Sequence, residues 1–241
     1  MGYASPMGSS RPVAITFDAG NTLLFSDPSP AEIYARELSR HGRTVGAEEV
    51  GPVFARAWAE MQQRAEPDRD RYSSFPGGER AWWGEFVREV LRRLDHDAEW
   101  EPLLADLYAA FSEPGVWKVF PETHATLAEI AHRGIAMAVV SNWDRRLPEI
   151  LRELGLIERF DAVAISAIEG VEKPSAQIFE RALERLNVEA SDVIHVGDSP
   201  LEDYRGALEA GMTPVLLDRR RAFEDDGYRR ITTLDEVLSF L

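Results

Sequence analysis

Short apolar runs of strand length alternate with helical stretches along most of the chain. The runs lie at residues 13–17, 136–140, 162–165, 193–196 and 214–217. Between them, apolar residues recur at the spacing of amphipathic helices, and the helical stretches 122–132, 147–154 and 201–210 are each followed closely by a glycine. This alternation predicts βαβ units, and therefore an α/β fold with a doubly wound parallel sheet.

One connection is too long for a simple crossover. About 100 residues separate the first apolar run from the second, whereas a parallel crossover needs about a dozen or more. The intervening pattern is helical over residues 31–40, 47–64, 79–94 and 102–111, with a proline- and glycine-rich break at 66–78. We therefore predict an all-helical cap, residues 29–114, inserted into a core made of residues 12–28 and 115–241. Residues 1–11 are predicted to form a flexible leader.

Composition narrows the classes of protein and partner. The 241 residues are 44% hydrophobic, carry a formal charge of -15 and include no cysteine. The absence of cysteine excludes disulfide scaffolds, thiolate metal sites and cysteine nucleophiles, and leads us to expect a cytoplasmic protein. The negative charge disfavours nucleic acid and anionic membranes as partners, and no apolar run is long enough to predict a membrane span. Oligomeric state stays open.

Polar side chains that could perform chemistry follow the apolar runs. They are three carboxylates, one hydroxyl and one ammonium: Asp18, Asp198, Asp203, Ser141 and Lys173. Open α/β sheets bind ligands at the carboxyl ends of their strands, so we expect these groups to converge. Carboxylate oxygens suit Mg²⁺, and an ammonium offsets the charge of an anionic substrate, so the set fits a phosphoryl group. A lone Asp after a strand is more often a turn or cap residue.

The order of these motifs resembles the haloacid dehalogenase superfamily of hydrolases. The resemblance extends over residues 12–217 and rests on FDAGNTL, VVSNWD, EKPSAQIF and HVGDSPLEDYRGALEAGM. It implies a Rossmann-like core with a helical cap of the family's C1 type. With the Trp82-Trp83 pair inside its helical cap, the chain resembles a phosphatase-like branch of the superfamily whose first motif lacks its second Asp. Both tryptophans are candidate substrate contacts, although such aromatic residues more often form a core.

The resemblance also implies a role for each motif residue. Asp18 would be the nucleophile that forms an aspartyl intermediate. Ser141 would hydrogen-bond the transferring group, Asn142 would contact the substrate, and Lys173 would neutralise charge on the substrate and on Asp18.

The implied cofactor is Mg²⁺. Its ligands would be Asp18, Asp198 and the main-chain oxygen of Gly20. Asp203 would hold a metal-bound water or orient Lys173. The implied partner is a small phosphorylated substrate.

Gly20 is the main departure from the family pattern. Phosphatases of this superfamily usually carry an Asp there, which acts as general acid and base, and loss of such a group typically costs about 10² to 10⁴ in rate. We therefore expect a phosphatase that is slow or restricted to good leaving groups. A 2-haloacid dehalogenase, whose halide leaves without a proton, and a non-catalytic binder of phosphometabolites or proteins are the alternatives. His195 is expected to be packed core, and the arginine run 219–221 a solvated loop.

Overall fold

The structure of the protein is a computed structural model, and it describes residues 12–42, 44–64, 68–223 and 227–241. The predicted leader, residues 1–11, lies outside the described residues. The described residues divide into two compact units, one formed by Phe25–Lys118 and the other by the residues up to Leu24 together with Val119–Leu241.

Most strands of the described residues belong to one parallel sheet, which confirms the predicted fold class. In chain order the strands are β1 (Ala14–Phe17), β2 (Leu24–Ser26), β3 (Trp117–Val119), β4 (Ala136–Ser141), β5 (Ala162–Ile165), β6 (Val193–Gly197), β7 (Thr213–Leu217) and β8 (Arg230–Ile231). The sheet has the order β5-β4-β1-β6-β7-β8, while β2 pairs with β3 separately. The strands are short and strongly apolar, as is usual for parallel strands buried on both faces.

Strand order reverses at the centre of this sheet. The chain builds β4 and β5 on one side of β1 and then β6, β7 and β8 on the other. Phe17 at the end of β1 is in register with Val139 of β4 and with Val196 of β6. The carboxyl ends of the three central strands therefore lie side by side at the switch point, where open α/β sheets bind ligands.

The Phe25–Lys118 unit is helical apart from its terminal strand segments. Its helices are α1 (Pro30–Arg40), α2 (Ala47–Gln63), α3 (Gly78–Leu94) and α4 (Trp100–Ala110). Helix α1 begins at a capping box, in which the Ser29 hydroxyl accepts from the N–H of Glu32 and the Glu32 carboxylate accepts from the N–H of Ser29. An aromatic cluster with ring centroids 5.1 to 6.3 Å apart forms much of the interior: Tyr34, Phe54, Trp58, Trp82 and Phe86.

The other unit carries helices that flank the sheet. They are α5 (Thr123–His132), α6 (Leu147–Glu153), α7 (Ser166–Glu169), α8 (Ala176–Leu186) and α9 (Gly206–Glu209). In α8 the buried residues Ile178, Phe179, Ala182 and Leu183 form one helical stripe that packs on β4 and β5. No helix in the described ranges combines the length and the apolar composition that a bilayer crossing requires.

The predicted helix over residues 201–210 is replaced by two shorter elements. A π-helical turn runs over Pro200–Arg205, and α9 follows it. The N–H groups of Asp203 and Tyr204 both donate to the carbonyl of Ser199, at 3.1 and 3.0 Å, so the first turn holds one residue more than an α-helix allows. Such wide turns are frequent at functional sites. This one returns the Asp203 carboxylate to the start of the turn, where it accepts from the N–H of Ser199 at 2.9 Å.

Candidate active site

The ends of the central strands bring the predicted polar residues together. Asp18 directly follows β1, Ser141 is the last residue of β4, and Asp198 directly follows β6. The N–H of Asp18 donates to the carbonyl of Val196 at 2.9 Å, so the sheet ladder continues into the site. These positions are fixed by strand register and do not depend on a flexible loop.

Lys173 lies between two carboxylates. Its Nζ is 2.7 Å from Oδ1 of Asp18 and 2.5 Å from Oδ1 of Asp203, and its side chain is 1% exposed. Asn142 holds the backbone of this lysine, since its Oδ1 accepts from the N–H of Lys173 at 2.7 Å and its Nδ2 donates to the carbonyl at 2.9 Å. The observed role of the Asn142 side chain is therefore positional, and its substrate contact stays a prediction.

The two oxygens of the Asp18 carboxylate have different surroundings. The Ser141 hydroxyl donates to Oδ1 at 3.0 Å, and Lys173 reaches the same oxygen. Within the described residues, no hydrogen bond reaches Oδ2. One oxygen is thus held in place while the other keeps its lone pairs available, which is what a carboxylate nucleophile requires.

Asp203 is held by a buried network that the sequence did not indicate. The Nε2 atom of His195 lies 3.1 Å from Oδ1 of Asp203, and its Nδ1 atom lies 2.8 Å from the hydroxyl of Thr16. Gly197 leaves room for the carboxylate, because a Cβ at that position would lie 2.1 Å from Cγ of Asp203. His195 is buried as predicted, but it also connects β1 to Asp203.

Charge and burial act against each other in this cluster. Burial raises the pKa of Asp18 to about 6 and that of Asp198 to about 8, and in both cases neighbouring carboxylates add to the effect. Burial would also raise the pKa of Asp203, but Lys173 and His195 hold it below its usual range. Burial would lower the pKa of Lys173, but the carboxylates outweigh it and raise the pKa. The lysine is therefore charged at neutral pH.

The carboxylates fit a divalent cation. One oxygen from each of Asp18, Asp198 and Asp203 lies within 4.8 Å of the others. Opposite ligands of Mg²⁺ are about 4.2 Å apart, so only a small contraction would be needed. When all three are ionised they carry two more negative charges than Lys173 offsets, and a divalent cation would restore neutrality. The oxygens of Asp203 already have partners, which favours its predicted indirect role.

Trp82 and Trp83 belong to the helical unit. Trp82 is 2% exposed and packs edge-on to Trp83, with ring centroids 4.8 Å apart. A cavity of about 210 Å³ in the same unit is lined by Trp82 together with Arg64, Asp70 and Phe75, among others. The pair is part of an aromatic core, and its contact with substrate stays a prediction.

The prediction of a solvated arginine loop is wrong for Arg219. Its side chain is 18% exposed, and its guanidinium lies 3.6 Å from the ring centroid of Phe120. It donates to the carbonyls of Asn21 and Thr22 at 3.0 and 2.8 Å and to Glu122 at 2.6 Å. Arg219 therefore ties the loop that follows the Asp18 strand to the start of α5.

The chain is similar to proteins of one hydrolase family. A model of the haloacid dehalogenase-like hydrolases matches residues 13–211. The haloacid dehalogenase-like hydrolase domain-containing protein 3 of Bos taurus is 35% identical over 212 residues, which cover 84% of this chain and 80% of the relative. The phosphoserine phosphatase of Thermus thermophilus is 37% identical over 163 residues, 64% of each chain.

A solved structure shows the same fold over nearly the whole chain. It is the HAD phosphatase from Thermococcus onnurineus, with a TM-score of 0.64 and 26% sequence identity. The match covers 94% of this chain and 96% of that chain.

Proposed function

The chain belongs to the haloacid dehalogenase-like hydrolases, and on that premise we propose that it is a Mg²⁺-dependent phosphatase acting on a small phosphorylated metabolite. The observation that carries the proposal is the asymmetry of the Asp18 carboxylate, with Oδ1 held by Lys173 and Ser141 and Oδ2 left without a hydrogen bond in the described residues. The phosphatases among the relatives support the phosphoryl group as the transferred group.

In the first half-reaction, Oδ2 of Asp18 attacks phosphorus. The new O–P bond forms as the ester P–O bond breaks, and the leaving group departs with the bonding electron pair. This gives an aspartyl phosphate. The Lys173 ammonium reduces the repulsion between the carboxylate and the phosphate, and the Ser141 hydroxyl keeps the carboxylate oriented.

In the second half-reaction, water attacks the phosphorus of the aspartyl phosphate. The acyl-phosphate P–O bond breaks, inorganic phosphate leaves, and Asp18 returns to its carboxylate form while the proton passes to solvent. Asp18, Asp198 and the main-chain oxygen of Gly20 would hold Mg²⁺, and Asp203 would act through Lys173 or a bound water. When bound, the ion supplies charge neutralisation at the phosphoryl oxygens.

We assign the cap role to residues 29–114. Because the Phe25–Lys118 unit has its own apolar core, it can act as a separate body that admits substrate and excludes water. Trp82 and Trp83 are the proposed substrate contacts of this unit.

The test is phosphate release from a panel of phosphorylated metabolites and p-nitrophenyl phosphate, with Mg²⁺ or with EDTA. Asp18→Asn should lower turnover by at least about 10³-fold, since it removes the nucleophile. Asp235→Asn is the matched control, because Asp235 is exposed, and it should keep wild-type turnover. Acid quenching followed by borohydride reduction should convert residue 18 to homoserine, which mass spectrometry detects.

Two outcomes would contradict the proposal and identify an alternative. Chloride release from 2-chloropropionate that persists in EDTA would indicate a dehalogenase. Binding of Mg²⁺ and a phosphate analogue without turnover of any ester would indicate a non-catalytic binder.

A further inference from the structure

Gly20 occupies the position that usually carries an acid/base side chain, yet its backbone does not require glycine. It is not among the residues with a positive φ. A Cβ built at Gly20 would lie 3.1 Å from Cζ3 of Trp143, and its other nearest atoms are Cε3 and Cη2 of the same indole at 4.0 Å. Carbon atoms in good contact are about 3.5 to 4.0 Å apart. The obstacle to a side chain at position 20 is therefore one aromatic ring.

The backbone of Trp143 is fixed. Its N–H donates to the hydroxyl of Ser166 at 3.2 Å, and its carbonyl accepts from the N–H of Ala167 at 3.2 Å. The preceding residue, Asn142, is bound to the Lys173 backbone. The following residue, Asp144, is fully buried against the Arg146 guanidinium. The indole can therefore make room only by side-chain rotation, not by movement of its loop.

We propose that Trp143 is a specificity-determining residue, whose indole fills the space beside position 20 so that a leaving group departs next to an aromatic ring and not next to a proton donor. This inference rests on the proposed function and deepens it. Asp18 forms the new bond to phosphorus, and the leaving oxygen keeps the electron pair of the broken P–O bond. Aryl and acyl phosphates release anions that are stable without a proton, whereas alkyl phosphates release an alkoxide about as basic as hydroxide. The preferred substrates are phosphates with acidic leaving groups.

The contact itself is tested without any substrate. Gly20→Ala should lower the thermal unfolding midpoint in the wild-type background, because its methyl meets the indole. In a Trp143→Ala background the same change should raise the midpoint, because alanine restricts the unfolded chain. Gly51→Ala is the matched control: its methyl would meet only Cβ of Ala31 at 3.7 Å, so its effect should be the same in both backgrounds. Trp143→Leu serves as the second background should Trp143→Ala fold poorly.

Specificity is tested with Gly20→Asp alone and in combination with Trp143→Ala. The quantity compared is the ratio of kcat/KM for an alkyl phosphate to kcat/KM for p-nitrophenyl phosphate. This ratio should be at least about tenfold higher in the double variant than in Gly20→Asp alone, because only the double variant has room for the acid. An equal increase of this kcat/KM ratio in the single and double variants would overturn the proposal. So would an equal fall of the unfolding midpoint on Gly20→Ala in both backgrounds. If the wild type hydrolyses no ester but the effect of Gly20→Ala on the unfolding midpoint changes sign between the two backgrounds, the proposed function fails while the packing of Trp143 at position 20 stands.

Discussion

Replacing Lys173 with methionine should expose how strongly the buried charges depend on it. Methionine has a similar length but no charge, so Asp203 would lose a partner at 2.5 Å while staying 2% exposed. The carboxyl would then bind a proton rather than stay ionised in a buried site that has lost its cation. Protonating it costs about 1.4 kcal/mol for each pH unit above its usual pKa of 3.8.

The resulting loss of stability is about 4 kcal/mol at pH 7 and about 2 kcal/mol at pH 5. The loss of stability is larger at the higher pH because the folded protein holds the pKa of Asp203 below its usual value. In the wild type the pKa of Asp203 lies below its usual range, so its contribution to stability is present above about pH 4 and is lost only as pH falls through the lowered pKa. The pKa of Asp18 is about 6 in the wild type, and removal of Lys173, which lowers it, would raise it further. Asp18 is therefore mostly protonated at pH 5 in both proteins, and the comparison there isolates Asp203.

The assay is urea unfolding in EDTA at both pH values, followed by hydrogen exchange of the β1 and β6 amides, which belong to the unit that holds the site. Lys118→Met is the matched control, because Lys118 is the other lysine of the chain and is exposed; its effect should stay within about 0.5 kcal/mol. Lys173→Arg keeps the charge, so any loss it causes should not depend on pH in this range. A loss in Lys173→Met that is equal at pH 5 and pH 7, or below about 1 kcal/mol at pH 7, would show that Asp203 does not depend on the charge of Lys173.

Three further predictions concern residues around the site. Arg219→Lys should lower kcat while changing the unfolding midpoint little, because a single ammonium cannot reproduce the spread of three guanidinium nitrogens over the two loop carbonyls and Glu122; kcat and thermal unfolding measured together check this, and a kcat equal to that of the wild type would contradict it. Gly206→Ala should destabilise by about 1 to 3 kcal/mol, because its Cβ would lie 2.9 Å from the Phe179 ring, whereas Gly51→Ala should stabilise by about 0.5 to 1 kcal/mol; urea unfolding compares the two. Ser141→Ala should reduce kcat by about tenfold or more with little change in stability, through loss of one hydrogen bond that orients the nucleophile; an unchanged kcat would remove Ser141 from the mechanism.

The fold class and the convergence of the polar side chains can both be predicted from local sequence. Parallel strands buried on both faces need continuous apolar runs, so each strand is visible in the sequence without knowledge of its neighbours. Residues at the carboxyl ends of adjacent strands then meet wherever the strands pair. Asp18, Ser141 and Asp198 could therefore be predicted to converge from their positions after the apolar runs alone.

Long-range contacts between residues of ordinary appearance could not be predicted in this way. Arg219 stands in a charged segment that is typical of a solvated loop, and the carbonyl of Asn21 that it binds is 198 residues away. His195 stands in an apolar run, and its hydroxyl partner Thr16 is 179 residues away. The contact between Trp143 and position 20 joins two separate loops, and no local pattern encodes it. Each depends on which strands become neighbours.

The chemistry of the nucleophile explains why an ammonium suits position 173 in a chain whose 27 basic residues include only one other lysine. A guanidinium binds a carboxylate through two parallel hydrogen bonds and would engage both oxygens of Asp18, including the one that must attack. The compact Nζ instead takes Oδ1 of Asp18 and Oδ1 of Asp203, one oxygen from each residue. The lysine thereby offsets part of the negative charge of the site without covering Oδ2. The positive charge of Lys173 is compatible with the reactivity of Asp18 because a compact ammonium binds one carboxylate oxygen, whereas a planar guanidinium would bind both.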